Sequence, residues 1–369
     1  MNWNRRAMGY LLPTLAFVGV LFGCGDHLMN ELMRPVAEQV YAPDGAQQRA
    51  LAAGALDNRP LPIVPNLIFQ SGFEQGTQHV QTTSADGPCT DDLWGEDQSV
   101  GFKGDWINDL EDGLLGKGHF CFGGGTFRQR GVRLTKDPEN QGNQVLHTWI
   151  AAPNENISDD NKVCNRDKKG SRKARVQHVL KDNPTLSEFQ YRVRLRLGKP
   201  AFEAMVNSPY KITWMTIGEF WNNSPDEEHP FRVTLNLVKA EERRGASFYF
   251  GLKGEKQNEA TLEWEQVWRE QIVSDVAVPL GEWFTLELGL REGNRQSGRA
   301  RVHVTKADGL RYKVADVRDW TYHPEGTPDG FQSINTMKLY TSGQVMCGLR
   351  QRGHVLQAWW DDYAIGGSH

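Results

Sequence analysis

Arginine, lysine, glutamine, asparagine and tyrosine recur at alternate positions in four stretches of this chain, with few acids among them. In 173–180, Ala174, Val176 and Leu180 share one side with His178, and Lys173, Arg175 and Gln177 share the other. The polar sides of three further stretches are Arg232, Thr234 and Asn236; Ser247, Tyr249 and Lys253; and Thr336, Lys338 and Tyr340. This mixture suits β-elimination at a sugar acid. The sugar carboxylate must be neutralised so that the neighbouring C–H becomes acidic, and Arg175, Gln177, Arg232 and Asn236 are the candidates for that role. A base must then take the proton, and Tyr249, Tyr340 and His178 are the candidates. His178 is adjacent to Gln177 and so points to the opposite face of a strand, where a core histidine is the competing reading.

A hydrolase would need two carboxylates across the scissile bond. Glu219 is the one acid in Thr216-Ile217-Gly218-Glu219-Phe220-Trp221-Asn222. With Trp221 to stack on a sugar face and Asn222 beside it, Glu219 is a candidate substrate-binding residue or hydrolytic acid. Lys173, Lys253 and Lys338 complete the expected substrate-binding set. The stretch 166–175 holds six basic residues and one acid, a local excess able to steer a polyanion. Arg192, Arg194 and Arg196 form a second basic stripe, read as an exposed outer face. No dinucleotide fingerprint, H-E-x-x-H or G-x-S-x-G is present, and Gly123-Gly124-Gly125 lacks a strand–helix phosphate setting.

Strands must position these groups. Period-2 alternation dominates from Leu67 onward, most cleanly in 189–197, and again in 145–150, 174–180, 211–219, 231–237, 247–253, 284–290, 300–305 and 336–340. Turn signals such as Glu292-Gly293-Asn294 and Ala307-Asp308-Gly309 separate them, and 263–271 reads as one short helix. The 38 glycines and 12 tryptophans fit a turn-rich β protein with exposed aromatics. The expectation is an all-β antiparallel sandwich.

Leu67-Ile68-Phe69-Gln70-Ser71-Gly72-Phe73-Glu74, 137–146, 281–286 and Trp359-Trp360-Asp361-Asp362-Tyr363-Ala364-Ile365 resemble the concanavalin A-like lectin/glucanase jelly rolls. The heparin-lyase-like and alginate-lyase-like polysaccharide lyases are the nearest members. The resemblance implies that the first and last strands pair, closing one domain over residues 67–367, and that calcium sits at a structural loop, with Asp159-Asp160 or Asp361-Asp362 as ligands. No other cofactor is implied. Lys173-Ala174-Arg175-Val176-Gln177 stands where the lyases carry R-x-E-x-R, without the glutamate. The E-x-D-x-x-E of the laminarinase-like members is absent. The resemblance also fits a pure lectin.

Arg5 and Arg6 followed by the apolar run 10–22 read as an export signal over 1–23. Leu21-Phe22-Gly23-Cys24 resembles a bacterial lipobox, with Cys24 as the lipidated residue of an outer-membrane or periplasmic lipoprotein. Residues 24–65, with Pro60, Pro62 and Pro65, read as a spacer, and 66–369 as the sandwich. Cys89, Cys121, Cys164 and Cys347 in an oxidising compartment allow two disulfides in any of three pairings. The net charge of −4 excludes a general nucleic-acid binder. The expected partners are an acidic polysaccharide and a membrane through the lipid, with the protein itself a monomer. The expected function is polysaccharide lyase, with surface glycan capture and glycoside hydrolysis as alternatives.

Overall fold

The computed structural model describes residues 66–81, 89–122, 126–153, 173–183, 186–208, 212–223, 227–239 and 247–368. Cys24, the spacer, residues 166–172, Gly123–Gly125, Asp159, Asp160 and Cys164 lie outside them. Among the described residues no helix is long and apolar enough to cross a membrane.

The described residues form seventeen strands: β1 (Leu67–Ser71), β2 (Gln78–Gln81), β3 (Cys89–Trp94), β4 (Gly118–Cys121), β5 (Arg130–Lys136), β6 (Gln144–Ile150), β7 (Lys173–Leu180), β8 (Glu188–Leu197) and β9 (Thr216–Trp221). They continue as β10 (Phe231–Val238), β11 (Tyr249–Gln257), β12 (Trp264–Ala277), β13 (Trp283–Arg291), β14 (Arg299–Thr305), β15 (Arg311–Val317), β16 (Ser333–Ser342) and β17 (Leu356–Ser368). A π-helical segment (Trp106–Leu114) and helices Lys199–Val206 and Gly343–Arg350 sit between strands.

The strands form two antiparallel sheets. One has eight strands in the order β15-β14-β13-β8-β17-β6-β5, with β1 added on β17; the other has nine in the order β12-β11-β10-β9-β16-β7-β4-β3-β2. The alternation read in 189–197 explains the stacking. Phe189, Tyr191, Val193, Leu195 and Leu197 of β8 are all buried. They meet β9 of the other sheet, where Phe220 lies 5.5 Å from Phe189 between ring centroids. Phe250 of β11 and Phe284 of β13 meet edge-on at 5.9 Å in the same way. Each such buried ring contributes about 1.5–3 kcal/mol by leaving water. The first strand pairs with the last, Gln70 opposite Ala364 and Ser71 opposite Tyr363, as the resemblance implied.

Two local expectations are corrected. Residues 263–271 do not form a helix: Trp264–Ala277 is β12, an edge strand paired with β11. Its Glu, Gln and Arg content favours a helix locally, but Trp268 has a place in the core and pairing on β11 decides the outcome. The strand expected over 211–219 begins only at Thr216, after an isolated bridge between Ile212 and Lys239. Of the three disulfide pairings, Cys89–Cys121 is formed, joining β3 to β4. Cys347 is disulfide-bonded as well, to a partner outside the described residues.

Candidate functional site

The polar sides of β7, β16, β9, β10 and β11 fall together on the outer face of the nine-stranded sheet. The ladder between β7 and β16 sets Tyr340 opposite Arg175 and Lys338 opposite Gln177. Ala174, Val176, Met337 and Leu339, the alternating partners, go to the core. On the other flank Arg232 stands between Trp221 and Glu255, Thr234 between Glu219 and Lys253, and Asn236 opposite Thr216. The Cys89–Cys121 bond borders this face, since Cys121 pairs with Gln177.

Two irregularities re-aim side chains there, which is a common use of bulges beside sites. Against β10, the register of β9 slips between Gly218 and Thr216. Ile217 therefore enters the core, while the Thr216 hydroxyl donates to Asn236 Oδ1 at 2.9 Å. Against β7, β16 slips between Ile334 and Met337. Both residues are buried in the core, and Thr336, expected on the polar side, instead donates to the Tyr363 hydroxyl across the sandwich at 3.0 Å.

A chain of alternating charges crosses the face. Lys253 Nζ lies 3.0 Å from Glu255, which Arg232 Nε donates to at 2.9 Å. Arg232 also donates from Nη1 to Glu219 Oε1 at 3.1 Å, and Lys338 donates to Glu219 Oε2. Glu219 and Lys338 are 4% and 1% exposed, so this pair is dry. Burial by itself would raise the Glu219 carboxyl; Lys338, Arg232 and hydrogen bonds, one from Trp221, outweigh it and hold the group below its ordinary value. Burial pulls the Lys338 ammonium below its ordinary value, against the attraction of Glu219 and with the help of Arg175 and Arg232. Aromatic rings accompany the charges: Arg232 sits 4.0 Å above Trp264, and the Tyr340 ring lies 5.0 Å from Trp214. The Lys338 ammonium is 4.9 Å from the Tyr340 ring centroid.

Arg175, Gln177, Lys338, Tyr340, Glu219, Trp221, Arg232, Asn236 and Lys253 thus share one face. They are not equally disposed to meet a ligand. Asn236 donates to Thr234 Oγ1 at 2.9 Å, and Arg232 is clamped by two carboxylates. Gln177 is buried with no hydrogen-bond partner on Oε1 among the described residues.

Four expected residues stand elsewhere or are limited. His178 is corrected: it faces inward between Phe120 and Trp106, and both ring nitrogens lack hydrogen-bond partners among the described residues. Burial, then His119, lower its pKa to about 3, so it is a neutral core residue. Asn222 is corrected too, because its amide donates to Glu292 and to the Gly330 carbonyl at 2.9 Å. Tyr249 lies on β11, three strand spacings from β16 or about 14 Å, too far to act with Tyr340. Lys173 pairs through its backbone with Ser342 at the start of β7. The stripe Arg194 and Arg196 is on the other sheet, paired with Asp361 and Glu139.

Glu255, Trp214, Trp264 and Asn335, which stands opposite Glu219 on β16, were missed. Glu255 follows the parity of Lys253, but the expected strand was ended at 253. Trp264 was hidden by the helical reading, and Asn335 by the bulge.

The calcium candidate Asp361 accepts from Asn143 at 2.9 Å and from Arg194 at 3.2 Å, and burial and Asp362 raise it to about 6. His229, His323 and Glu325 bring one ligand atom each within 4.8 Å of one another. His323 Nδ1 accepts the Glu325 N–H, however, which leaves the proton of the neutral ring on Nε2, and Lys256 stands 3.5 Å from Glu325.

No family model and no curated protein matches the chain. Among solved structures it is similar to an endo-β-1,4-glucuronan lyase from the fungus Trichoderma reesei, at 14% identity and a TM-score of 0.37, over 65% of this chain and 88% of that one. The alginate lyase Aly36B gives 10% identity and a TM-score of 0.37, over 79% and 96%. The exoplasmic/lumenal domain of VIP36, bound to Ca2+ and Man3GlcNAc, gives 10% and 0.34, over 66% and 86%. At these scores the likenesses bear on neither substrate nor reaction.

Proposed function

We propose that the chain is a lyase that cleaves a uronate-containing polysaccharide by β-elimination on the outer face of the nine-stranded sheet. One observation carries this reading: the β7–β16 ladder that sets Arg175 against Tyr340 and Gln177 against Lys338. Arg175 and the Gln177 amide hydrogen-bond the sugar carboxylate and so acidify the adjacent C–H. Tyr340, acting as its phenolate, takes that proton and becomes the phenol. The electron pair left behind forms the ring double bond as the bond to the glycosidic oxygen breaks, and a proton returns to that oxygen. Lys338, held by Glu219, adds fixed positive charge at the same place. Trp221 and Trp264 offer stacking surface for neighbouring sugars, and the unpartnered Gln177 Oε1 suits a sugar hydroxyl.

Hydrolysis is the weaker reading. Glu219 and Glu255 are both clamped by cations, whereas a general acid needs a carboxyl whose proton is retained. Capture without cleavage draws on the same aromatic and cationic face and is the outcome if no product forms. Export, with lipid on Cys24 tethering the domain, belongs to the same proposal; the Cys89–Cys121 bond fits an oxidising compartment.

The test is incubation with glucuronan, alginate and glycosaminoglycans while the ultraviolet absorbance of unsaturated uronate is followed. A rise with at least one polymer is expected, and Arg175→Ala is expected to slow it ~100-fold or more. No rise with any polymer over a range of pH and calcium, or an unchanged rate in Arg175→Ala, counts against the reading.

A further inference from the structure

The outer face of the eight-stranded sheet carries a hollow of about 460 Å3, within the usual range for small-molecule sites. Register explains its floor. Arg301 of β14 pairs with Gly289 of β13, Gly289 with Gln190 of β8, and Gln190 with Gly366 of β17. Two glycines flank Gln190 in this cross-strand row and leave the surface low on either side of it, and a Cβ built on Gly289 meets nothing within 4 Å.

The walls are cationic. Arg291, Arg299, Arg301 and Arg311 line the hollow against the acids Glu188 and Glu287. Arg311 is tied to Glu287 at 2.8 Å and Arg299 to Asp316 by two bonds of 2.9 and 3.0 Å. Arg291 donates to the Ser297 carbonyl. Arg301, by contrast, forms no hydrogen bond or direct ion pair with any described residue. Burial, then the charge of Arg299, hold its guanidinium below its ordinary value against the attraction of Asp316 and Glu188.

We propose that this hollow is a second binding site, separate from the lyase face, for one anionic sugar residue whose carboxylate or sulfate pairs with Arg301. The floor is about two strand spacings wide, roughly 10 Å, which accommodates a single pyranose ring. Glu188 interrupts the positive walls with an acceptor for sugar hydroxyls, whereas a lipid surface or nucleic-acid backbone would favour an unbroken cationic face. The proposal does not depend on the reaction at the other sheet.

The experiment is an NMR titration of the full chain with glucuronate monosaccharide and, separately, with inorganic sulfate. Glucuronate is expected to shift amides of β13 and β14. Arg301→Gln and Gly289→Val, which removes the charge or fills the hollow, are each expected to weaken this binding at least ~10-fold. Arg175→Ala on the other sheet is expected to leave it unchanged. Retention of full affinity in both hollow variants, or shifts abolished only by Arg175→Ala, overturns the assignment. Binding of sulfate without glucuronate also overturns it, because the site would then recognise the oxyanion and not the sugar.

Discussion

Glu219 carries its charge where water hardly reaches, and it does so because Lys338 and Arg232 converge on its two oxygens. Removing one partner leaves the other buried and unpaired. Glu219→Gln is therefore expected to cost about 3–5 kcal/mol in denaturant unfolding, and the double change Glu219→Gln with Lys338→Met to recover most of it. If the single and double variants are equally destabilised, the pair is not what holds the site. His178 gives the opposite lesson. Its pKa in the fold is about 3 against 6.5 for a free histidine. As pH falls below 6.5 the unfolded chain gains a proton that the native one refuses, so stability is lost over that window; the loss is about 2 kcal/mol by pH 5. His178→Leu should abolish that acid sensitivity and keep lyase activity. Loss of turnover in a folded His178→Leu would return this residue to the mechanism.

At the scale of elements, regular alternation was legible and its interruptions were not. Arg175 with Gln177, and Lys338 with Tyr340, could be assigned to a polar side because β7 and the second half of β16 keep period two. Thr336 could not be placed correctly, because the slip between Ile334 and Met337 depends on which strand pairs with β16. The same holds for Thr216, whose outward turn follows from the slip of β9 against β10. Sequence names no pairing partner, so the cross-strand chain from Lys253 to Lys338 was invisible, as was the fact that Arg232 is taken up within it and that the Asn236 amide is spent on Thr234. Residues 263–271 failed for a different reason: good helix formers on an edge strand follow tertiary pairing and not local propensity. If Tyr340 is the base, Tyr340→Phe lowers turnover by ~100-fold or more while the thermal unfolding midpoint stays within a few degrees of the parent. A comparable loss in Tyr249→Phe, with Tyr340→Phe active, would move the site three strands across the sheet.

At the largest scale the described residues form a sandwich whose two outer faces differ in kind. One is crossed by a ladder of paired charges flanked by tryptophans; the other holds an arginine-walled hollow whose floor includes Gly289. Both offer cations to an acidic polymer, and the first also offers a phenol beside an arginine and an amide. The overall architecture was readable from the strand pattern, since a buried row on each sheet permits few other arrangements. The proposed reaction was readable only as a class of side chains. The most direct test of β-elimination on the nine-stranded sheet is mass analysis of the products formed from glucuronan or alginate in heavy-oxygen water, with Tyr340→Phe as control. The account predicts unsaturated oligosaccharides that contain no solvent oxygen and are nearly absent with the variant. Saturated products that have taken up solvent oxygen, or products formed equally well by Tyr340→Phe, would contradict it.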